Sequence, residues 1–493
     1  MKNTSYNDIL NSKYNLDPHQ LSILALPNKN AFALENLLSR KLKKSDNGVE
    51  IGSDKYLFTS PYYFIRAKSL QAHSYLPTLS PESYVPINPK AFVNYHLQKG
   101  DILISKDSNI GEVIILDQDY PNFMLSGALY KLPITEYKYY VLGFLKSEMF
   151  KNQLDLKVSK GATIRHAGKK FLECSIPFPN QDNKAQAISY VGNLVEALVN
   201  KEVEIKSKYE RVLEIIDKEL KNNQATSKEF FYAQPKLSDI KGTGRINAAF
   251  YSDDFKKKEY IIRNYKHGYQ SVYQLGFNVS RGQNLQVSTI GKSVYSKAKK
   301  PNFYTLLLPR NFSIYGTILK EEYLGNSRDL KTLKEGDIIF GAEGFEKGRS
   351  AVILSDQDRT ITNIHGITLN HQDKNITLSM FVKCFLDYLR KNNLIDYYAV
   401  GGNGGSLAMK YWRDMPFPNF PIEKQKEIAK LFYSDSSYPT ELGVDNFLSM
   451  DSSWNTSAGI YDLDRSMKSL KSKLQTLVEK ITNNEKIDID FTI

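Results

Sequence analysis

A proline-stiffened turn followed by a long helical pattern occurs twice in this chain, and that doubling limits the folds open to it more than any other feature. Ile176, Pro177, Phe178, Pro179 and Asn180 read as a strand end running into the turn, and Asp182 and Asn183 open a helix with no internal proline. Apolar residues then recur at alternating steps of three and four: Ile188, Val191, Val195, Leu198, Ile205, Tyr209, Val212 and Ile216, with Glu202 as the polar break. This spacing predicts a helix that buries a narrow seam against another helix. Met415, Pro416, Phe417, Pro418 and Asn419 repeat the turn, and Met467, Leu470, Leu474, Leu477 and Ile481 repeat the spacing. The partner helix is therefore expected in the same chain, antiparallel to the first, as a coiled coil.

The doubling extends beyond the helices. A shift of 239 positions takes Gly52 and Tyr56 onto Gly291 and Tyr295, Ile176–Asn180 onto Met415–Asn419, and Gln186 onto Gln425. Gly100-Asp101-Ile102 reappears as Gly336-Asp337-Ile338, and the run from Gly111 to Asp119 resembles that from Arg349 to Asp358. Matches in one order at one spacing indicate an internal repeat. Each copy opens on a polar, helical lead-in (residues 1–38 and 225–279) and continues through short strands. Val113–Leu116 and Val352–Leu354 are the apolar runs that a buried strand would supply. Helical stretches follow around Tyr139–Leu154 and Leu378–Leu394, then a Gly-rich turn, the proline turn and the long helix. The expected fold is mixed α/β (α+β), with a pseudo-two-fold repeat: globules at 1–180 and 225–420, long helices at 181–224 and 421–493. The second helix is interrupted at about 434–461 by a polar, Ser-rich stretch containing Pro439, for which the sequence supplies no physical account.

At 493 residues the chain is too long for one core. Its formal charge of +12 favours a polyanionic partner, nucleic acid before membrane, with a basic surface kept for solubility as the alternative. Thirty-two tyrosines suit surfaces that must be apolar and hydrogen-bonding at once. Cys174 and Cys384, each among apolar neighbours, are expected as buried reduced thiols. No apolar run reaches the length of a membrane span and no signal peptide is visible, so a soluble cytoplasmic protein is expected.

The chemistry-bearing residues point to DNA. Residues 255–310 hold eleven Lys or Arg against one acid, Glu259, interleaved with Tyr260, Tyr265, Tyr269, Tyr273, Tyr295 and several amides. Cationic side chains neutralise phosphates, while Arg, Gln and Asn can grip base edges in pairs of hydrogen bonds. The candidates in this half are Ser280, Arg281, Gln283, Asn284, Lys292, Tyr295, Lys297, Lys347, Arg349 and Asn403. In the first half they are Arg40, Lys43, Lys55, Tyr56, Arg66, Lys106 and Asn109, with Lys160, Thr163 and Arg165 in the Gly-rich turn. A solvated basic face over core aromatics is the plainer reading of the same residues. The loops differ between the halves while their framework repeats, so two heads would read two sequences. A helix of about 35 residues spans roughly 50 Å, or about 15 base pairs of duplex. Gly401–Gly405 lacks the context of a phosphate loop. There is no metal-ligand spacing, no Walker motif, no Asn-Pro-Pro-aromatic motif and no Gly-x-Ser-x-Gly elbow. No catalytic residue is assigned and no metal is expected.

Taken together, these motifs resemble the specificity (S) subunits of type I restriction–modification systems. The resemblance rests on Gly161-Ala-Thr with Ile176-Pro-Phe-Pro and Gln186, and on Gly404-Gly-Ser with the run from Met415 to Ile428. Gly100–Leu103, Gly336–Ile339 and Arg245-Ile-Asn-Ala-Ala-Phe-Tyr251 are also similar to the family pattern. It implies two tandem target-recognition domains separated by conserved spacer helices, reading a bipartite double-stranded DNA target. It further implies two adenine-N6 methyltransferase (M) subunits docked along the helices and, in complexes that restrict, R subunits. S-adenosylmethionine, and ATP and Mg, would enter through those partners, with no cofactor bound directly. The competing expectations are a stand-alone DNA-binding or decoy protein, and an enzyme with its own nuclease or methyltransferase activity.

Overall fold

In the computed structural model, residues 26–80, 82–158, 166–232, 234–344, 347–354, 359–401 and 405–492 are described. Residues 1–25, most of the first lead-in, lie outside them. The chain is mixed α/β and divides into two compact units. One comprises residues up to Glu204 with Ser437–Thr456 and the chain from Arg465; the other comprises Ile205–Ser436 with Ser457–Asp464.

In the first unit, strand β4 (Ile102–Ser105) lies between β5 (Val113–Ile115) and β7 (Leu129–Leu132), antiparallel to both. A second sheet has β2 (Tyr63–Ile65) at its centre, antiparallel to β3 (Tyr84–Pro86) and parallel to β6 (Phe123–Leu125). All four side chains of β4 are buried, as a strand covered on both faces requires, and Leu103 packs with Ile65, Leu70, Leu97, Ile114, Leu125 and Leu129. β1 (Ala31–Ala33) pairs with β8 (Ser175–Pro177), placing the strand end before the proline turn in a sheet.

The second unit repeats these pairings. β14 (Ile338–Gly341) is antiparallel to β15 (Ser350–Val352) and β17 (Gly366–His371), as β4 is to β5 and β7. β12 (Tyr304–Leu306) is antiparallel to β13 (Glu322–Gly325) and parallel to β16 (Thr360–Ile361), as β2 is to β3 and β6. β9 (Tyr269–Gln270) pairs with β18 (Phe417–Pro418) as β1 does with β8. Two strands go beyond the first unit's pattern. β10 (Phe277–Arg281) extends one sheet and β11 (Val294–Ser296) the other.

The helical stretch near 139–154 is two helices, α1 (Lys138–Leu145) and α2 (Glu148–Lys157). They break at Lys146, whose buried ammonium donates to the carbonyls of Gln71 (2.9 Å), Ser74 (2.8 Å) and Val113 (3.1 Å). Lys383 does the same work in the second unit, donating from the corresponding helix to Tyr315 O and Asp387, both at 2.8 Å.

The first long helix, α3, runs from Lys184 to Asn222. Its burial corrects the narrow seam read from the heptads. Val191, Val195, Leu198, Ile205, Tyr209, Val212 and Ile216 are buried and Ile188 is half-buried. Ala187, Tyr190, Leu194, Ala197, Val199, Ile215 and Leu220 are buried as well. A helix covered on that many sides belongs to the cores of the units and is not confined to a two-helix seam. In the first unit Gly143 of α1 gives it room, since a Cβ there would lie 2.8 Å from Val195 and 3.7 Å from Leu474. Met467, Leu470, Leu474, Leu477 and Ile481 are buried on the last helix (Ile460–Thr482). Its contacts with α3 in the first unit run in antiparallel order: Glu202 meets Lys471 at 3.4 Å, and Asn183 reaches Ile487 O, beyond the helix end, at 3.0 Å.

Glu202, the polar break in the heptads, is buried. Its carboxylate accepts from Ser74 Oγ (2.8 Å), Tyr75 N (2.8 Å) and Leu76 N (3.3 Å), which ties a loop of the first unit to the helix. The polar interruption at 434–461 also acquires a physical account. It contains a helix, Phe447–Ser457, whose Asp451 pairs at 2.6 Å with Lys201, a lysine with 0% side-chain exposure. Asn455 Oδ1 accepts from the same ammonium at 2.7 Å, and the Trp454 ring lies 4.5 Å from it. The segment is polar in composition because it brings the partners of a buried cation.

Candidate nucleic-acid interface

The basic stretch 255–310 divides once its partners are visible. Lys256 and Arg263 turn inward onto the buried Glu259 at 3.2 and 2.9 Å, and Tyr398 Oη donates to it at 2.7 Å. Burial pushes that carboxyl up, but Arg263 and Lys256 outweigh it and hold Glu259 below its ordinary range. Lys258 pairs with Asp254 at 2.7 Å and Arg310 with Glu322 at 3.1 Å. The remaining charge concentrates around β11, where Lys292, Lys297, Lys299 and Lys300 are exposed beside Val294 and Tyr295. A shallow cleft of about 320 Å³ opens there, lined by Lys292, Val294, Asn302, Phe303 and Asn326. Gly325 lets the Phe303 ring lie against the strand, since a Cβ would come within 2.6 Å of it.

The other second-unit candidates are more engaged. Ser280 lies 2.9 Å from Thr368 Oγ1 and accepts from Lys331 at 2.6 Å. Gln283 accepts from Lys331 N at 3.0 Å, and Asn284 caps its own turn by accepting from Gln286 N at 3.0 Å. Arg349 donates to Phe312 O at 2.8 Å. Lys347, expected at a loop tip, is 7% exposed and pairs with Asp396 at 2.8 Å, so it points into the unit rather than out of it.

In the first unit Arg40 grips Asp46 with two hydrogen bonds, 2.6 and 2.7 Å, which hold that carboxyl below its ordinary range. Lys43 is exposed, and its backbone N–H donates to Asp46 at 2.7 Å. Lys55 pairs with Asp54, and Tyr56 packs against the cluster of Phe64, Ile87 and Met124. Arg66 is exposed, and Lys106 stands 5.4 Å from the Tyr130 ring. Asn109 is a tether: its amide donates to Leu70 O at 3.2 Å, which fixes the loop and turns it away from solvent-side contacts. Lys160, Thr163, Arg165 and Asn403 lie outside the described residues.

Two residues that sequence reasoning missed stand out where the loops leave the middle strands. His166 Nδ1 lies 2.7 Å from Asp107 Oδ1, and His365 Nδ1 lies 2.7 Å from Glu343 Oε2. Arg281 donates to Glu343 at 3.0 Å and to Ile364 O at 2.8 Å. The His365 hydrogen bond, with Arg281 behind it, holds the Glu343 carboxyl below its ordinary range against the opposing effect of burial. The pairs join residues far apart in sequence, so only a comparison of equivalent loops could have suggested them.

Cys174 and Cys384 are buried and free, their thiols pushed up to about 12 by burial. Among the described residues no three His, Cys, Asp or Glu side chains gather as a metal site, and no helix is long and apolar enough to cross a membrane.

Residues 42–207 match the family model described as the type I restriction modification DNA specificity domain. No curated protein matches the chain. Among solved structures, the S subunit of a type I restriction–modification system from M. genitalium is 13% identical, covering 92% of this chain and 95% of its own, with a TM-score of 0.41. The HsdS subunit from Thermoanaerobacter tengcongensis is 11% identical, covering 88% and 95%, with a TM-score of 0.26. Residues 42–207 of this chain are thus similar to a type I restriction modification DNA specificity domain.

Proposed function

We propose that each of the two units reads one half of a bipartite duplex target, and that the chain brings two adenine-N6 methyltransferase subunits to it. The observation that carries this reading is the repeated strand pairing on which different side chains are mounted. One framework used twice suits one kind of ligand bound twice, and unlike loops suit unlike half-sites. Phosphate contacts fall to the exposed lysines around β11 and to Lys43 and Arg66, with base contacts from the loops that follow the middle strands. The long helices offer the docking surface for the methyltransferase subunits and set the unread gap between half-sites. S-adenosylmethionine belongs to those subunits, and ATP and Mg to restriction subunits where these join. The assembly works in the cytoplasm, where its DNA is.

The test is to purify the chain from a host that carries its whole system and to sequence that host's DNA with methylation detection. The reading expects a co-purifying methyltransferase and adenine methylation at one bipartite motif that disappears when the chain is deleted. Purification without a methyltransferase, together with sequence-selective binding, would make the chain a stand-alone DNA-binding protein.

A further inference from the structure

We propose that His166 and His365 are base-reading side chains, one in each unit, each presented to its half-site by the carboxylate behind it, Asp107 or Glu343. The inference rests on the bipartite DNA reading above and names the groups through which it acts.

The two pairs occupy one place in the repeat. Asp107 lies two residues beyond β4 and Glu343 two residues beyond β14, strands with matching antiparallel neighbours. Both carboxylate residues bridge, backbone to backbone, to the segment after the helical layer, Asp107 to His166 and Glu343 to Ser406. The histidines nevertheless arrive by different routes. His166 is the residue opposite Asp107, whereas a serine stands opposite Glu343 and His365 comes from the turn before β17. The pair recurs although its backbone origin does not, so the shared framework alone does not account for it.

The chemistry suits a base edge. A bare carboxylate facing DNA would repel phosphates, and a ring hydrogen-bonded in front of it covers it. With Nδ1 engaged at 2.7 Å in both pairs, Nε2 is left on the far side of the ring. The His166 and His365 side chains are 68% and 60% exposed, against 20% and 33% for Asp107 and Glu343, so each ring stands outside its carboxylate. A single outward ring nitrogen is a directional group that can pair with one hydrogen-bonding atom on a base edge in the groove. Arg281, bonded to both Glu343 and Ile364 O, steadies the second pair at the residue preceding the histidine.

The experiment is selection of bound duplexes from a random library by the full chain, in the assembly in which it purifies, with His166→Gln and His365→Gln compared with wild type. The wild-type chain is expected to select a bipartite target. Each variant is expected to lose about 5- to 100-fold discrimination at one or two base pairs of one half-site, the two variants in opposite halves. Asp107→Asn and Glu343→Gln, which alter positioning residues, should relax the same base pairs as their histidines. The untouched half-site reports in the same molecule that the chain is folded. Unchanged selectivity, or a uniform loss of affinity for all sequences, overturns the inference while leaving the DNA-reading role standing. A wild-type chain that selects no sequence refutes that role, and the inference falls with it.

Discussion

Replacing Asp451 with alanine should destabilise the first unit far more than replacing the lysine that it pairs with. Lys201 has no exposed side-chain surface, and its ammonium meets Asp451 at 2.6 Å, Asn455 Oδ1 at 2.7 Å and the Trp454 ring at 4.5 Å. Removing Asp451 leaves a buried cation facing one amide oxygen and the rings of Trp454 and Tyr438 (4.5 and 5.1 Å), a loss of about 3–5 kcal/mol. In Lys201→Met, by contrast, Asp451 keeps the Tyr438 hydroxyl and Asn455 Nδ2 (3.0 Å) as donors. That loss should be about 1–3 kcal/mol. Changing both, Lys201→Met with Asp451→Leu, removes the charges together and should be close to neutral. Trp454 reports on this contact and the chain has one other tryptophan, Trp412 in the second unit, so a Trp412→Phe background isolates the signal. A loss of about 4 kcal/mol should lower the urea midpoint of the Trp454 transition by about 1–2 M. An Asp451→Ala midpoint no lower than that of Lys201→Met, or a double variant equal to the sum of the singles, would refute the reasoning.

The same lysine predicts a pH dependence. Burial lowers Lys201 to about 8, and Asp451 only partly offsets it. Above that pH the folded state has released a proton that the unfolded chain still binds, so stability should rise from about pH 8 toward the ordinary lysine range. Lys146, also lowered to about 8 by burial, adds with the same sign, so Lys201→Met should flatten the rise only in part; stability that falls across this window would contradict the assignment. Glu202→Ala strips the acceptor from the Tyr75 amide, while Ser74 Oγ keeps Leu76 O and the Leu76 amide keeps Ser74 Oγ, both at 3.0 Å. It should cost about 2–3 kcal/mol. Hydrogen exchange at the Tyr75 amide should quicken roughly a hundredfold, and unaltered exchange would show that the loop is held by other means. Replacing Lys292, Lys297, Lys299 and Lys300 by alanine should flatten the dependence of DNA affinity on salt, by about 0.9 for each phosphate no longer neutralised, without changing the preferred sequence. A salt slope equal to that of the wild-type chain would remove these lysines from the interface.

The duplicated framework was legible because its signals are local. Buried strands such as Ile102–Ser105 and Ile338–Gly341 show as apolar runs after a Gly-Asp turn, and the proline turn marks where β8 and β18 end. The heptads of α3 were visible too, but their periodicity misreported how widely the helix is covered. Apolar residues between the heptad positions, such as Tyr190 and Leu194, carried that information. The basic stretch concealed which of its cations are already held within the protein. Lys256 and Arg263 read like Lys292 and Lys297 until Glu259 is seen to hold the first two. Tyrosine abundance likewise found its meaning in acceptors such as Glu219, Asp217 and Glu259, which take the hydroxyls of Tyr265, Tyr388 and Tyr398 at 2.7, 3.1 and 2.7 Å.

By itself the sequence determined that this chain is one framework built twice, because strand period, turn chemistry and helix spacing act over a few residues and leave their mark there. Which polar groups are buried partners and which face outward was decided only in three dimensions. Lys201 meets an asparagine 254 positions away, and His365 a glutamate 22 positions back. The energy of a charge depends on the dielectric and the partners around it, and those are assembled only when the chain closes on itself.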